Sequence, residues 1–303
     1  MSGAVVSETV DVATVAARTV AIRTVAIVGS GAMGRGIAES CLRGGLAVVL
    51  HDANPAALET ACTTIAASLQ RAVAKGQLTA DAASAALAQL VPSGDLAGIA
   101  AAELVIEAVP ERLDLKLQVL QSIESVVSAD TIIATNTSSI PITRLSVPFT
   151  DPSRFLGLHF FNPASKMPLV EVISTIETDV GVQNTIEVFV RDQLGKTPLV
   201  ITDRPGFVVN ALLIPFLLSA ARMLDSGYAS AETIDEGMTL GCGHPMGPLR
   251  LSDLVGLDVV CSVADALYCE TKDAALIVPN NLRRFLERGH LGQKSGRGFY
   301  SYI

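Results

Sequence analysis

A chain of 303 residues exceeds one ordinary hydrophobic core and suits two domains of common size. Half of it is hydrophobic and 17% is charged, with no Trp and 4% aromatics, so its cores must be built from Ala, Val, Leu and Ile. The formal charge of −8, with no run of four basic residues, excludes a broad cationic face and hence nucleic acid as a partner.

Residues 1–22 read as an N-terminal extension. They lack the basic start and long apolar centre of a secretory signal, and Glu8 and Asp11 argue against a transit peptide, so a cytoplasmic location is expected. From Thr24 a β-branched apolar run leads through glycines into a helix that ends at Gly44-Gly45, and LAVVLHD makes a second strand. The Ala-rich segment from Asn54 to about Leu90 predicts two helices broken near Lys75-Gly76, with Pro55 in the first turn. Strands follow at ELVIEAV, TIIATNTSS, FLGLHFF and LVEVIS, with a helix over Glu111 to Val127 between the first two. This alternation predicts an α/β fold with a doubly wound, mainly parallel sheet.

After Asp203-Arg204-Pro205-Gly206 the strand signals nearly vanish, and helical periodicity runs to Gly296. The boundary therefore falls between an α/β domain over residues 23–203 and an all-helical domain over residues 204–303. The second domain has more apolar helix surface than it can hide within itself, which predicts a homodimer through it. The longest apolar stretch, Phe207 to Leu224, is interrupted by Asn210, Pro215 and Arg222 and reads as a buried helix, with no membrane association. Five cysteines (Cys41, Cys62, Cys242, Cys261 and Cys269) stand at irregular spacings with no C-x-x-C pair. That pattern fits reduced thiols, and neither a disulfide framework nor a metal site is expected.

Gly29-Ser30-Gly31-Ala32-Met33-Gly34 is a G-x-G-x-x-G with a strand before it and a helix after it, the Rossmann-type context. The first glycine permits the tight turn, the second admits a pyrophosphate to the backbone, and the third allows close helix–strand packing. Asp52, closing the second strand, suits the two hydroxyls of an adenosine ribose and repels a 2′-phosphate, so NAD is expected over NADP.

Beyond the glycines the chain resembles the 3-hydroxyacyl-CoA dehydrogenase family from about residue 24 to the end. The resemblance rests on Glu107-Ala-Val-Pro-Glu111, Asn136-Thr-Ser-Ser139, Leu158-His-Phe-Phe-Asn-Pro163, Leu169-Val-Glu171 and Pro205-Gly-Phe-Val-Val-Asn210. It continues through Pro245-Met-Gly-Pro-Leu249, Asp253-Leu-Val-Gly-Leu-Asp258 and Gly292-Gln-Lys-Ser-Gly-Arg-Gly-Phe-Tyr300. It implies NAD-dependent interconversion of a 3-hydroxyacyl and a 3-oxoacyl thioester, with a short-chain, 3-hydroxybutyryl-like substrate. By this resemblance His159 is the acid/base, a role suited to imidazole because its ordinary pKa of ~6.5 lies near working pH. Glu171 would hold the second ring nitrogen, Ser138 would bond the reacting oxygen, and Asn210 would contact substrate from the helical domain. Glu111, Lys116, Asn136, Asn162 and Lys294 would line the cofactor end of the cleft, with Ser138 bordering it.

Plainer readings compete with these roles. A histidine between hydrophobic neighbours can be a satisfied core residue, the N-T-S-S turn can cap the helix after Pro141, and Lys116 and Lys294 can be solvated surface lysines. The chain also departs from the family. Ala211 stands where an arginine usually follows the asparagine, and no basic residue lies between Asp52 and Gln70, where coenzyme A phosphates would want a cation. A thioester on an acyl carrier protein is the substrate alternative. An L-gulonate-type dehydrogenase or a non-catalytic NAD-binding protein are the alternatives to the activity itself.

Overall fold

The computed structural model describes residues 21–302, so most of the expected extension lies outside the described residues. β1 (Thr24–Val28) runs into α1 (Ala32–Arg43); β2 (Ala47–His51), α2 (Pro55–Ala74), α3 (Ala80–Ala88) and β3 (Leu90–Ser93) follow. Next come β4 (Leu104–Glu107), α4 (Leu113–Val126), β5 (Ile132–Thr135), α5 (Ile142–Ser146) and β6 (Phe155–Phe160). β7 (Leu169–Ser174), α6 (Val180–Val188) and β8 (Thr197–Thr202) complete one sheet in the order β3-β2-β1-β4-β5-β6-β7-β8. Every neighbouring pair is parallel except β6 and β7. From Val209 the main elements are helices: α7 (Val209–Asp225), α8 (Ala231–Cys242), α9 (Pro248–Val255), α10 (Leu257–Thr271) and α11 (Asn280–Glu287).

The strands read as near-continuous apolar runs because both faces of the sheet are covered. Along β1, Val25 and Ile27 pack with Ile37 of α1 and Ile65 of α2, whereas Ala26 and Val28 join Leu120 of α4 and Ile142 of α5. Each fully buried Val, Leu or Ile contributes about 1.5–3 kcal/mol toward the entropy cost of ordering the chain. The break between α2 and α3 falls as expected after Ala74, with Asn54 capping α2 and Thr79 capping α3 through side-chain oxygens. Sheet order reverses between β1 and β4, which opens a crevice at their carboxyl ends.

Three features differ from the expectations. β3 and β8 escaped the sequence reading because each is an edge strand carrying a proline, Pro92 and Pro198, which dilutes the strand signal. β7 is antiparallel because residues 161–168 between β6 and β7 are too few for a crossover helix. α7 is only partly buried: Ile214, Leu217 and Leu218 face the core, while Leu212 is 73% exposed. The expected boundary lies in segment 203–208, between the last strand and α7. All five cysteines are free. Among the described residues no helix is long and apolar enough to cross a membrane.

Candidate active site

His159 and Glu171 are separated by a strand reversal in sequence yet stand directly opposite one another across the antiparallel β6–β7 pair. Cross-strand partners on one face are neighbours, so the geometry follows from register. The distance from His159 Nδ1 to Glu171 Oε2 is 2.7 Å, and both residues are buried. Nδ1–H donating to the carboxylate leaves Nε2 as the ring nitrogen free to exchange a proton. Phe161 and Phe207 wall the imidazole, with ring centroids 4.6 and 5.6 Å from its own. Phe207 holds φ at +54°, an uncommon conformation for a bulky residue, in the segment that enters α7.

The other oxygen of Glu171 accepts the N–H groups of Val208 and Val209, each at 3.0 Å, where α7 begins. Burial pushes the Glu171 carboxyl up, but the bonds from His159, Val209 and Val208 outweigh it and hold the group below the usual glutamate range. An ionised carboxylate thus joins the imidazole to the positive end of a long helix.

The N-T-S-S turn follows β5. Its donors do not cap α5, whose N-cap Pro141 has no side-chain partner; they converge on Glu111. Glu111 Oε1 accepts the hydroxyl of Thr137 at 2.6 Å, the N–H and hydroxyl of Ser138 at 2.9 and 3.2 Å, and both donors of Ser139 at 3.1 Å. Burial raises the Glu111 carboxyl, but Lys116 and these bonds overcome that and lower it. Asn136 Oδ1 accepts the Phe160 N–H at 3.0 Å, next to His159. Asn210 Nδ2 donates to the Ser138 carbonyl at 3.1 Å, so α7 touches this turn directly. His159, Glu171, Ser138, Asn136, Glu111 and Asn210 are therefore linked through one bonded cluster.

The glycine turn lies between β1 and α1. Gly29 has φ +104°, and a Cβ there would meet the Ala108 carbonyl oxygen at 2.7 Å. At Gly34 a Cβ would fall 1.8 Å from the Gly29 oxygen, whereas at Gly31 it would meet nothing within 4 Å. That open space faces the start of α1, which has no side-chain cap and no acidic residue in its first turn. Asp52 Oδ2 accepts the Ser30 N–H and hydroxyl at 2.8 and 2.7 Å, and Oδ1 accepts the Asn54 N–H at 2.9 Å. Burial is outweighed by these bonds, and the Asp52 carboxyl lies below its ordinary range. The residues present fit a dinucleotide: bare amides for a pyrophosphate and an anchored carboxylate for a ribose. Ala32 is exposed at the helix start, and Met33 packs partly against the sheet core. Exposed Asn162 lines a cavity of about 130 Å³ with Pro163, Arg35, Ser68 and Arg71.

The two lysines differ in their surroundings: Lys294 is about half exposed, as the plainer reading allows, whereas Lys116 is buried rather than solvated. It has no exposed surface, and its ammonium bonds Glu107 and the Asn136 carbonyl. Lys294 is paired with Asp258 at 2.6 Å in the helical domain. The sequence reading gave Glu107 no role, although a carboxylate closing a buried apolar strand must find a partner. It also missed Phe207 and the Val208 and Val209 amides, which leave no signature in residue type.

The model of the 3-hydroxyacyl-CoA dehydrogenase NAD binding domain matches residues 24–204, and that of the C-terminal domain matches residues 206–302. A 3-hydroxybutyryl-CoA dehydrogenase of Mycobacterium tuberculosis is 45% identical over 276 residues, covering 91% of this chain and 96% of its own. The crystal structure of M. tuberculosis FadB2 superposes with a TM-score of 0.92 at 44% identity, covering 94% of this chain and 100% of that one. (S)-3-hydroxybutyryl-CoA dehydrogenase PaaH1 from Ralstonia eutropha superposes with a TM-score of 0.89 at 43% identity, covering 93% and 100%.

Proposed function

The chain belongs to the 3-hydroxyacyl-CoA dehydrogenase family, and from that premise we propose that it interconverts a short-chain 3-hydroxyacyl-CoA and its 3-oxoacyl-CoA. The observation that carries this reading is the 2.7 Å bond from His159 Nδ1 to Glu171, which leaves Nε2 free. NAD, when bound, supplies the acceptor for the hydride that leaves C3. His159 Nε2 takes the proton of the 3-hydroxyl in the oxidative direction and returns it in the reverse direction. Glu171 holds the imidazole in the tautomer that can accept this proton and stabilises the imidazolium that forms. Ser138 Oγ lies 3.2 Å from Glu111 and donates its O–H to the reacting oxygen when substrate is bound, leaving the single proton of the 3-hydroxyl to His159. Asn210 holds the Ser138 backbone from the helical side and contacts substrate there. The Asp52 carboxylate favours a free 2′-hydroxyl and so NAD over NADP.

Coenzyme A is favoured over a carrier protein because Arg71 of α2 and Arg35 of α1 line one cavity beside Asn162, after the His159 strand. Two guanidinium groups there suit phosphates. Glu39 on the same wall lies 3.6 Å from Arg43, which offsets part of its charge. The free thiols support a reducing, cytoplasmic setting. We further infer that two copies pair through the helical domain, a point taken up in the Discussion.

The test is a turnover panel with acetoacetyl thioesters of coenzyme A and of a carrier protein, using NADH and NADPH in turn. Coenzyme A with NADH should lead by about tenfold or more, and His159→Gln should lose about 10²–10⁴-fold in kcat with the fold intact. Near-wild-type turnover by His159→Gln would overturn the base assignment, and equal rates on both thioesters would overturn the coenzyme A preference.

A further inference from the structure

One buried ion pair has no part in the proton relay. Lys116 and Glu107 both have 0% side-chain exposure. Such a pair is costly to desolvate, and removing one partner strands the other. All three ammonium donors are used: Nζ donates to Glu107 Oε1 at 2.8 Å, to Glu107 Oε2 at 3.0 Å and to the Asn136 carbonyl at 3.2 Å. Glu111 Oε2 lies 3.6 Å from the same nitrogen. Glu107 is occupied in turn by the Thr135 hydroxyl and by the Val109 N–H at 2.7 Å.

From this pair, contacts run to both halves of the reaction centre. One route passes through Glu111 to the amides and hydroxyls of Ser138 and Ser139. The other passes through Asn136, whose carbonyl accepts from Lys116 and whose Oδ1 accepts the Phe160 N–H beside His159. Glu107 itself ends β4 opposite Thr135 of β5, so the pair is built on the rigid edge from which the turn departs. We propose that Glu107 and Lys116 are a positioning pair that fixes the Ser138 turn relative to the His159 strand for proton transfer. Neither residue touches the reacting atoms; both act through Glu111 and Asn136. The inference rests on the dehydrogenase reading above for its link to turnover, but its structural content can be measured without turnover.

The experiment compares wild type, Lys116→Met and the double variant Glu107→Gln/Lys116→Met, which removes both charges while keeping volume and so remains foldable where the single variant strands a carboxylate. Three quantities are read: kcat on acetoacetyl-CoA, NADH affinity by fluorescence, and hydrogen exchange over residues 136–140. If the pair positions the turn, kcat drops about tenfold to a hundredfold, because small misplacements at a reacting centre are this costly. Exchange over 136–140 should quicken by about tenfold, and kcat should fall by more than NADH affinity does. The double variant decides. A kcat within about fivefold of wild type, or unchanged exchange over 136–140, overturns the proposal, as does a loss confined to NADH affinity. Should wild type itself turn over no acyl thioester, the dehydrogenase reading fails alone, and exchange over 136–140 still judges the pair.

Discussion

Glu171 shows what one side chain can carry when each oxygen has its own partner. Oε2 orients the imidazole, and Oε1 takes the first amides of α7, so the carboxylate that holds His159 also ties the helical segment to the sheet. Glu171→Gln should keep part of the second task and lose the first, lowering kcat by about 10²-fold or more. Its native pKa is depressed, so its stabilising contribution is complete above the ordinary glutamate value of ~4.3 and is lost as pH falls through the lower native value. Urea midpoints at about pH 6 and about pH 3 should therefore fall less in Glu171→Gln than in wild type. Equal losses in the two proteins would show that the carboxylate is not held as described. His159 and Glu171 were legible because both residues lie in short distinctive motifs. The second oxygen was not, since its partners are backbone amides of another element.

Among elements, the glycine turn separates folding from binding within a few residues. A methyl group at Gly34 would strike the Gly29 carbonyl, which is backbone and cannot swing away, so α1 must lift from β1. Gly34→Ala should cost about 1–3 kcal/mol in stability and weaken NADH binding as well. Gly31 already has φ −63° and open space beyond it, so alanine there is tolerated by the protein and opposed only by a ligand. Gly31→Ala should melt at or above the wild-type temperature while NADH affinity falls by about tenfold, or about 1.4 kcal/mol. Calorimetry with NADH titration separates the two, and wild-type affinity in Gly31→Ala would place the pyrophosphate elsewhere. The shape of this turn was legible, because what Gly29 and Gly34 do there is local sterics. β3 and β8 were not, because proline-bearing edge strands are held by neighbours.

At the scale of the molecule, the helical domain leaves apolar side chains in water: Leu212 on α7, Tyr228 after it and Leu240 on α8 are 73%, 81% and 84% exposed. Isolated exposed hydrophobics are ordinary, and the proposed pairing of two copies would cover these three. The protein should sediment at twice the chain mass at micromolar concentrations, and Leu212→Glu or Leu240→Glu should shift it toward the monomer. Sedimentation of wild type as a monomer would remove the homodimer.

The sequence alone determined the order and kind of most elements, the border between sheet and helices, and the histidine, carboxylate and glycines on which the chemistry is proposed to rest. Those follow from rules that act over a few residues: alternation along a strand, caps at helix starts, and the space a glycine leaves. Only tertiary structure decided the partners of the buried charges. Lys116 looks like a surface lysine until β4 and β5 bring Glu107 and Asn136 against it, and Arg35 and Arg71 meet only because α1 and α2 pack on one face. A charged side chain has many acceptable partners in water and very few once buried, so its fate depends on which distant elements close around it.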